Sequence, residues 1–189
     1  DGKIIVCGDI GYQLPPIDTS TEMTDKGFDN VIELKKNYRF KCDKLKSVIQ
    51  DVRNNIKNDT LICKKKFTRI KKEDVKDIYN KEDIILVSKG ATSNKGKNNY
   101  NNYWNEILNI DKFKITNNTR DFKNGEIIYE KPLGKGIEFE KRNGYTIHSV
   151  QGATHKKKLF IDMRGINDKR MFYTAISRAQ YLNQIFLVE

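Results

Sequence analysis

Four short apolar runs constrain this chain more than any other feature: Lys3–Cys7 (KIIVC), Asp83–Ser88 (DIILVS), Leu159–Asp162 (LFID) and Gln184–Val188 (QIFLV). Each is short, unbroken and apolar, as the fully buried strands of a parallel sheet are. Between them the pattern changes period. Within Asp43–Ile56 the residues Leu45, Val48, Ile49, Val52 and Ile56 recur at spacings of three and four, which predicts an amphipathic helix. Tyr100–Leu108, with Tyr103, Trp104, Ile107 and Leu108, predicts a second helix, and Asp168–Ser177 a third. Strands alternating with helices predict an α/β fold, a parallel sheet covered by helices on both faces. Val31–Leu34 reads as one more short strand, 18–30 as a polar connection and 91–99 as a loop or frayed helix start. From 113 to 140 strand-like pieces are broken by Asn124-Gly125, Gly134 and Gly136, the pattern of hairpins.

Charge is unevenly placed along the chain. Between Lys35 and Lys72 there are 14 Lys or Arg against 3 Asp or Glu, so the whole net charge of +11 lies there; the remainder holds 22 of each sign. Such a block suits a phosphate backbone, whose counterions it would release, and equally suits a solvated helix face. Cys7, Cys42 and Cys63 are odd in number without C-x-x-C spacing, and His148 and His155 are a poor metal pair, so neither a zinc site nor a disulfide framework is indicated. No apolar run approaches the ~18 residues that span a bilayer. The composition predicts a soluble, intracellular protein with no membrane partner.

Three segments carry the residue types of a chemical site: GDIGYQLPPI at Gly8–Ile17, NYRF at Asn37–Phe40, and GYTIHSVQGAT followed by FYTAISRAQ between Gly144 and Gln180. In that order they resemble motifs III to VI of superfamily 1 DNA helicases of the RecD-like and Pif-type branch. There the motifs read GD-x-x-QLPP, NYR, T-x-H-x-x-QG-x-T and Y-x-A-x-SRA. The resemblance runs from near the first residue to near the last. It implies a RecA-like, P-loop NTPase-type fold with a UvrD-like C-terminal helicase domain. Residues 1–30 would end a first RecA-like domain, and 31–189 would form a second, with a short β-rich insertion at about 113–140. No G-x-x-x-x-G-K-[ST] loop or acidic magnesium pair occurs in the chain, so both are expected upstream in a longer protein, and this segment alone should be inactive.

The resemblance also implies roles. Gln13 matches the glutamine that bonds the γ-phosphate or its attacking water, and an amide can donate and accept at once. The chain has three residues, Ile10, Gly11 and Tyr12, where the usual pattern has two, and Gly11 is where the extra one can be absorbed. Arg39 and Arg178 match the motif IV and VI arginines, whose planar forks suit charge developing on a transferring phosphoryl group. Gln151 and Gly152 complete the ATP-binding set with Gln13, Arg39 and Arg178. Thr146, His148, Ser149 and Thr154 are the nucleic-acid-binding set, with Ser149 standing where many relatives carry Lys. Taken alone, His148 reads rather as a buried, hydrogen-bonded side chain, and Tyr100, Tyr103 and Trp104 as core.

The expected function is the C-terminal segment of an ATP- and magnesium-dependent helicase moving on single-stranded or forked DNA, 5′ to 3′ as in that branch. Two alternatives stay open: a non-catalytic, helicase-derived nucleic-acid-binding module, and an RNA helicase of the same superfamily.

Overall fold

The computed structural model describes residues 8–9, 11–15, 30–34, 36–88 and 100–189. The expected strand Lys3–Cys7, most of the polar connection and the 91–99 loop lie outside them. In chain order the elements are α1 (Asp43–Lys57), β1 (Thr68–Ile70), α2 (Val75–Ile78), β2 (Ile84–Val87), α3 (Tyr100–Leu108) and β3 (Phe113–Ile115). There follow β4 (Ile127–Ile128), β5 (Phe139–Lys141), β6 (Gly144–Thr146), β7 (Leu159–Asp162), α4 (Lys169–Ile176) and β8 (Ile185–Val188).

Five strands form one sheet in the order β1-β8-β7-β2-β6, and every pair is parallel. Because successive strand residues point to opposite faces, each apolar run feeds two cores. Leu86, Leu159, Ile161, Ile185 and Leu187 meet Leu45, Val48, Ile49 and Val52 of α1 and Phe172 and Ile176 of α4. Ile85, Val87, Phe160 and Val188 meet Val75 of α2 and Trp104 and Leu108 of α3. Phe160 stacks on its cross-strand partner Phe186 with ring centroids 5.1 Å apart. The fold is therefore α/β, a parallel sheet with helices on both faces.

Two polar contacts pin α3 to the sheet, one of them the Gly144 N–H of β6 donating to Asn101 Oδ1 at 2.9 Å. Trp104, with no exposed surface, donates Nε1–H to Asp162 Oδ2 at 2.9 Å, and Arg164 binds the same buried carboxylate. Tyr100 and Tyr103 lie under the Arg164 guanidinium, at 4.6 and 4.3 Å from their ring centroids. These aromatics serve packing.

The 113–140 stretch folds as a separate antiparallel sheet, β4-β3-β5. Its Asn124-Gly125 turn places Gly125 at φ +90°, a conformation that favours glycine. The residues leading into it include Lys112, which is buried and donates to the Asp83 carbonyl at 2.5 Å and the Tyr79 hydroxyl at 3.3 Å. Burial pushes Lys112 down to about 8, with the Asp83 charge opposing, and burial pushes Tyr79 and Tyr145 upward.

A lysine whose folded pKa lies below its unfolded value binds fewer protons in the fold, so stability rises with pH from about 8 to about 10. Above ~10 the two tyrosines reverse the trend, because only the unfolded chain loses those protons easily. Lys112→Met is expected to flatten the rise. Urea unfolding near pH ~8 and pH ~10 tests this, and a wild-type midpoint that does not rise would refute it.

Two expectations about strands need correction. Val31–Leu34 is irregular rather than a strand: Val31, Ile32 and Leu34 are 65%, 84% and 86% exposed, and no described strand pairs with them. Conversely, β1 and β6 are strands that no pattern in the sequence marks. Both lie at sheet edges and are three residues long, TRI and GYT, without an apolar run to mark them.

Candidate functional site

The Gly8–Pro15 loop is shaped by a tight turn. Tyr12 and Gln13 both donate backbone N–H to the Asp9 carbonyl at 3.3 Å, and Gly11 sits at φ +82°. The third residue between GD and Q is thus absorbed in a left-handed turn that glycine tolerates. Beyond the turn, Leu14 is buried in the core of α1 and α4, and its N–H donates to Thr174 Oγ1 at 3.3 Å. Gln13 Oε1 accepts from Gln151 Nε2 at 3.0 Å, and the same amide reaches the Leu14 carbonyl at 3.4 Å. The GDIGYQLPPI and GYTIHSVQGAT segments meet here.

Arg39 is presented by a local turn in which Asn37 Oδ1 accepts from the N–H groups of Arg39 and Phe40, at 2.9 and 3.1 Å. Phe40 is buried and anchors the turn. The half-exposed Arg39 fork then spans two motifs. Nε donates to Thr154 Oγ1 at 3.0 Å, Nη2 to the Gly152 carbonyl at 3.3 Å and Nη1 to the Ser177 carbonyl at 3.2 Å.

Arg178 faces inward and is only 1% exposed. Its Nε donates to the Thr174 carbonyl at 2.9 Å, Nη1 to the Ala153 carbonyl at 3.1 Å and Nη2 to Ser177 Oγ at 2.7 Å. Burial, with the neighbouring Arg39 charge next, pushes it down to about 10. It remains a cation at neutral pH, clamping the Val150 and Ala153 carbonyls to the end of α4.

The strand-binding candidates divide. Thr146 ends β6, and the turn after it closes on itself: Ser149 N–H donates to Thr146 Oγ1 at 3.2 Å and Ser149 Oγ–H to the Thr146 carbonyl at 2.8 Å. His148 opens this single 3₁₀ turn and is half-buried, while Ser149 is exposed. Thr154 instead lies on the Arg39 side, its hydroxyl bonded to that guanidinium. Gln13, Arg39, Gln151, Gly152, Thr154 and Arg178 thus form one connected network, with Thr146, His148 and Ser149 a few residues upstream.

Sequence reasoning missed a second cluster at the same loop. Asp9 Oδ2 accepts from the Tyr173 hydroxyl at 2.6 Å, and Asp9 Oδ1 pairs with the Arg53 guanidinium. That guanidinium also covers the Tyr12 ring, 4.6 Å from its centroid. Burial and the hydrogen bond to Asp9 both push the Tyr173 hydroxyl upward. A signal existed for Arg53: it follows Val52 directly, on the flank of the α1 apolar stripe, where a cation needs a partner.

Among the described residues no group of three or more His, Cys, Asp or Glu could hold a metal, and no helix is long and apolar enough to cross a membrane. For a phosphate ligand the network offers the half-exposed Arg39 guanidinium, which has five N–H groups for the three bonds above, and the Gln13 Nε2 amide, a donor set that fits an anion.

No family model matches the chain, and neither does any curated protein. Among solved structures it is similar to a Pif1 helicase from Candida albicans, 26% identical over 28% of this chain and 12% of that one, with a TM-score of 0.25. It is similar to a structure of DNA unwinding at forked dsDNA by two coordinating Pif1 helicases, 16% identical over 80% of this chain and 48% of that one, with a TM-score of 0.45. Unliganded Pif1 from Bacteroides sp. is 13% identical over 80% of this chain and 50% of that one, with a TM-score of 0.44. The chain spans half or less of the length of these structures.

Proposed function

We propose that the chain is the C-terminal segment of an ATP-dependent DNA helicase or translocase, the part that senses nucleotide and passes its state to a grip on single-stranded or forked DNA. The observation that carries this reading is the meeting at Arg39. One guanidinium touches the fifth motif at Thr154 and Gly152 and the sixth at Ser177, while Gln13 of the third bonds Gln151 of the fifth. Motifs scattered over most of the sequence converge where a nucleotide sensor needs them.

In this reading residues 1–30 end one RecA-like domain and 31–189 make up most of a second, with the phosphate loop and magnesium ligands upstream. ATP with magnesium, when bound, supplies the transferable phosphoryl group. Arg39, the half-exposed cation, neutralises charge developing on that group. The Gln13 and Gln151 carboxamides orient acceptor and donor partners beside it. Arg178 acts from behind, donating to the Val150 and Ala153 carbonyls that flank Gln151 and Gly152 and so fixing their position. Thr146 and His148, in the turn before Gln151, hold the strand through the Thr146 hydroxyl and the His148 ring against phosphates, which carry no sequence information, while Ser149 closes the turn that presents them.

The natural full-length protein is expected to hydrolyse ATP faster with single-stranded DNA present, to bind that DNA more weakly as salt rises, and to prefer it over matched RNA. Absence of DNA-stimulated turnover would sink the reading. One observation favours the binding-module alternative as the fallback: Lys41, Lys44, Lys57, Lys65 and Lys71 are exposed and have no carboxylate partner among the described residues. Salt-sensitive binding indifferent to nucleotide would be that module's signature.

A further inference from the structure

We propose that Arg53 and Tyr173 are positioning residues that act through Asp9: they clasp the Gly8–Pro15 loop onto α1 and α4 and thereby set where the Gln13 carboxamide stands. The proposal rests on the nucleotide-sensing reading above and adds what holds the sensor in place.

Both Asp9 carboxylate oxygens are used, one by the Arg53 guanidinium from α1 and the other by the Tyr173 hydroxyl from α4. Arg53 lies over the Tyr12 ring at 4.6 Å and the Tyr173 ring at 5.7 Å, and the two rings are 6.1 Å apart. A cation between two aromatic faces and a carboxylate is held by both kinds of attraction. The side chains of Arg53 and Asp9 are only 34% and 23% exposed, so water screens this pair less than the surface pairs of α1.

The effect on Gln13 follows from the backbone. The Asp9 carbonyl receives the N–H groups of both Tyr12 and Gln13, so anchoring Asp9 fixes the start of the turn that presents the Gln13 side chain. At the other end, Leu14 is fixed by burial and by Thr174. Gln13 is therefore held between two anchors, both of which end on α4. The clasp is not fully satisfied, however: Arg53 Nε is buried without a hydrogen-bond partner. Because α4 also carries Thr174 and leads into Ser177 and Arg178, movement of the loop and movement of the sixth motif are mechanically joined.

The test uses the natural full-length protein with Arg53→Ala and, as a milder variant that keeps the ring, Tyr173→Phe. Amide hydrogen exchange of the 8–15 loop and ATPase kinetics are measured on each. Faster loop exchange is expected in both variants, with kcat reduced about tenfold, KM for ATP little changed and single-strand binding retained. An Asp9→Asn, Arg53→Ala double variant should be no worse than the poorer single one. Unchanged loop exchange, or a freed loop with undiminished kcat, would overturn the proposal. A wild-type protein without turnover would sink the helicase reading alone, and loop exchange in Tyr173→Phe would still decide whether the clasp exists.

Discussion

Arg178→Ala is expected to abolish ATP turnover in the natural protein and to lower its melting temperature, whereas Arg39→Ala should do only the first. An arginine serving phosphoryl transfer contributes roughly 10³–10⁵ in rate. Arg39 can act directly, being half-exposed, and its removal leaves mainly solvent-accessible acceptors behind. Arg178 is 1% exposed, and its donors serve the carbonyls of Thr174 and Ala153 and the hydroxyl of Ser177. Truncation removes these donated hydrogen bonds and empties a buried space, while the Ser177 hydroxyl still donates to the Thr174 carbonyl at 3.0 Å and Ala153 is exposed, so a loss of about 2–4 kcal/mol is expected. For a domain of this size that is a fall of about 10 °C in Tm. Lysine should not rescue, because one ammonium cannot reproduce a fork directed at three acceptors. Calorimetry and a turnover assay on both variants decide the matter. Near-normal ATPase in Arg178→Ala would remove the sixth motif from the mechanism, and an unchanged Tm would contradict its inward placement. DNA binding should remain measurable in both.

The largest loss of stability without a direct effect on the site is expected from Trp104→Ala. The indole is wholly buried between α3 and the sheet, and large aromatic truncations in cores cost about 3–5 kcal/mol. The lost Nε1–H also leaves Asp162 with Arg164 alone among the two side chains that now bind it. Trp104→Phe separates the contributions, keeping most of the volume and removing only the hydrogen bond, at about 1–3 kcal/mol. Since this is the single tryptophan of the chain, urea unfolding must be followed by circular dichroism rather than fluorescence. A loss below ~1 kcal/mol for the alanine variant would mean that α3 is not anchored as described.

Where the sequence was legible, the reason is local. The α1 stripe and the apolar runs of β2, β7 and β8 declare their own burial, and α3 spans the very residues, Tyr100–Leu108, that its periodicity predicts. β1 and β6 were not legible, because three-residue edge strands borrow their conformation from neighbours in the sheet. Motif spelling likewise pointed to Gln13, Arg39 and Gln151, yet could not foretell how they touch. That Arg178 turns inward, that Thr154 joins Arg39 and that Asp9 is shared by Arg53 and Tyr173 all depend on contacts between residues far apart in sequence, which no short pattern encodes.

The strand order has a consequence for how nucleic acid could lie on the surface. β6, which ends in Thr146, occupies one edge of the sheet, and β1, flanked by Lys64–Lys66 and by Lys71 and Lys72, occupies the other. Four inter-strand steps of about 4.8 Å set these edges roughly 19 Å apart. At the ~3.4 Å per residue of a stacked duplex strand that is about six nucleotides, and fewer for a strand drawn out. On the proposed function a shorter oligonucleotide would meet either the hydroxyl-lined turn or the lysine-rich border, and only a longer one would bridge them.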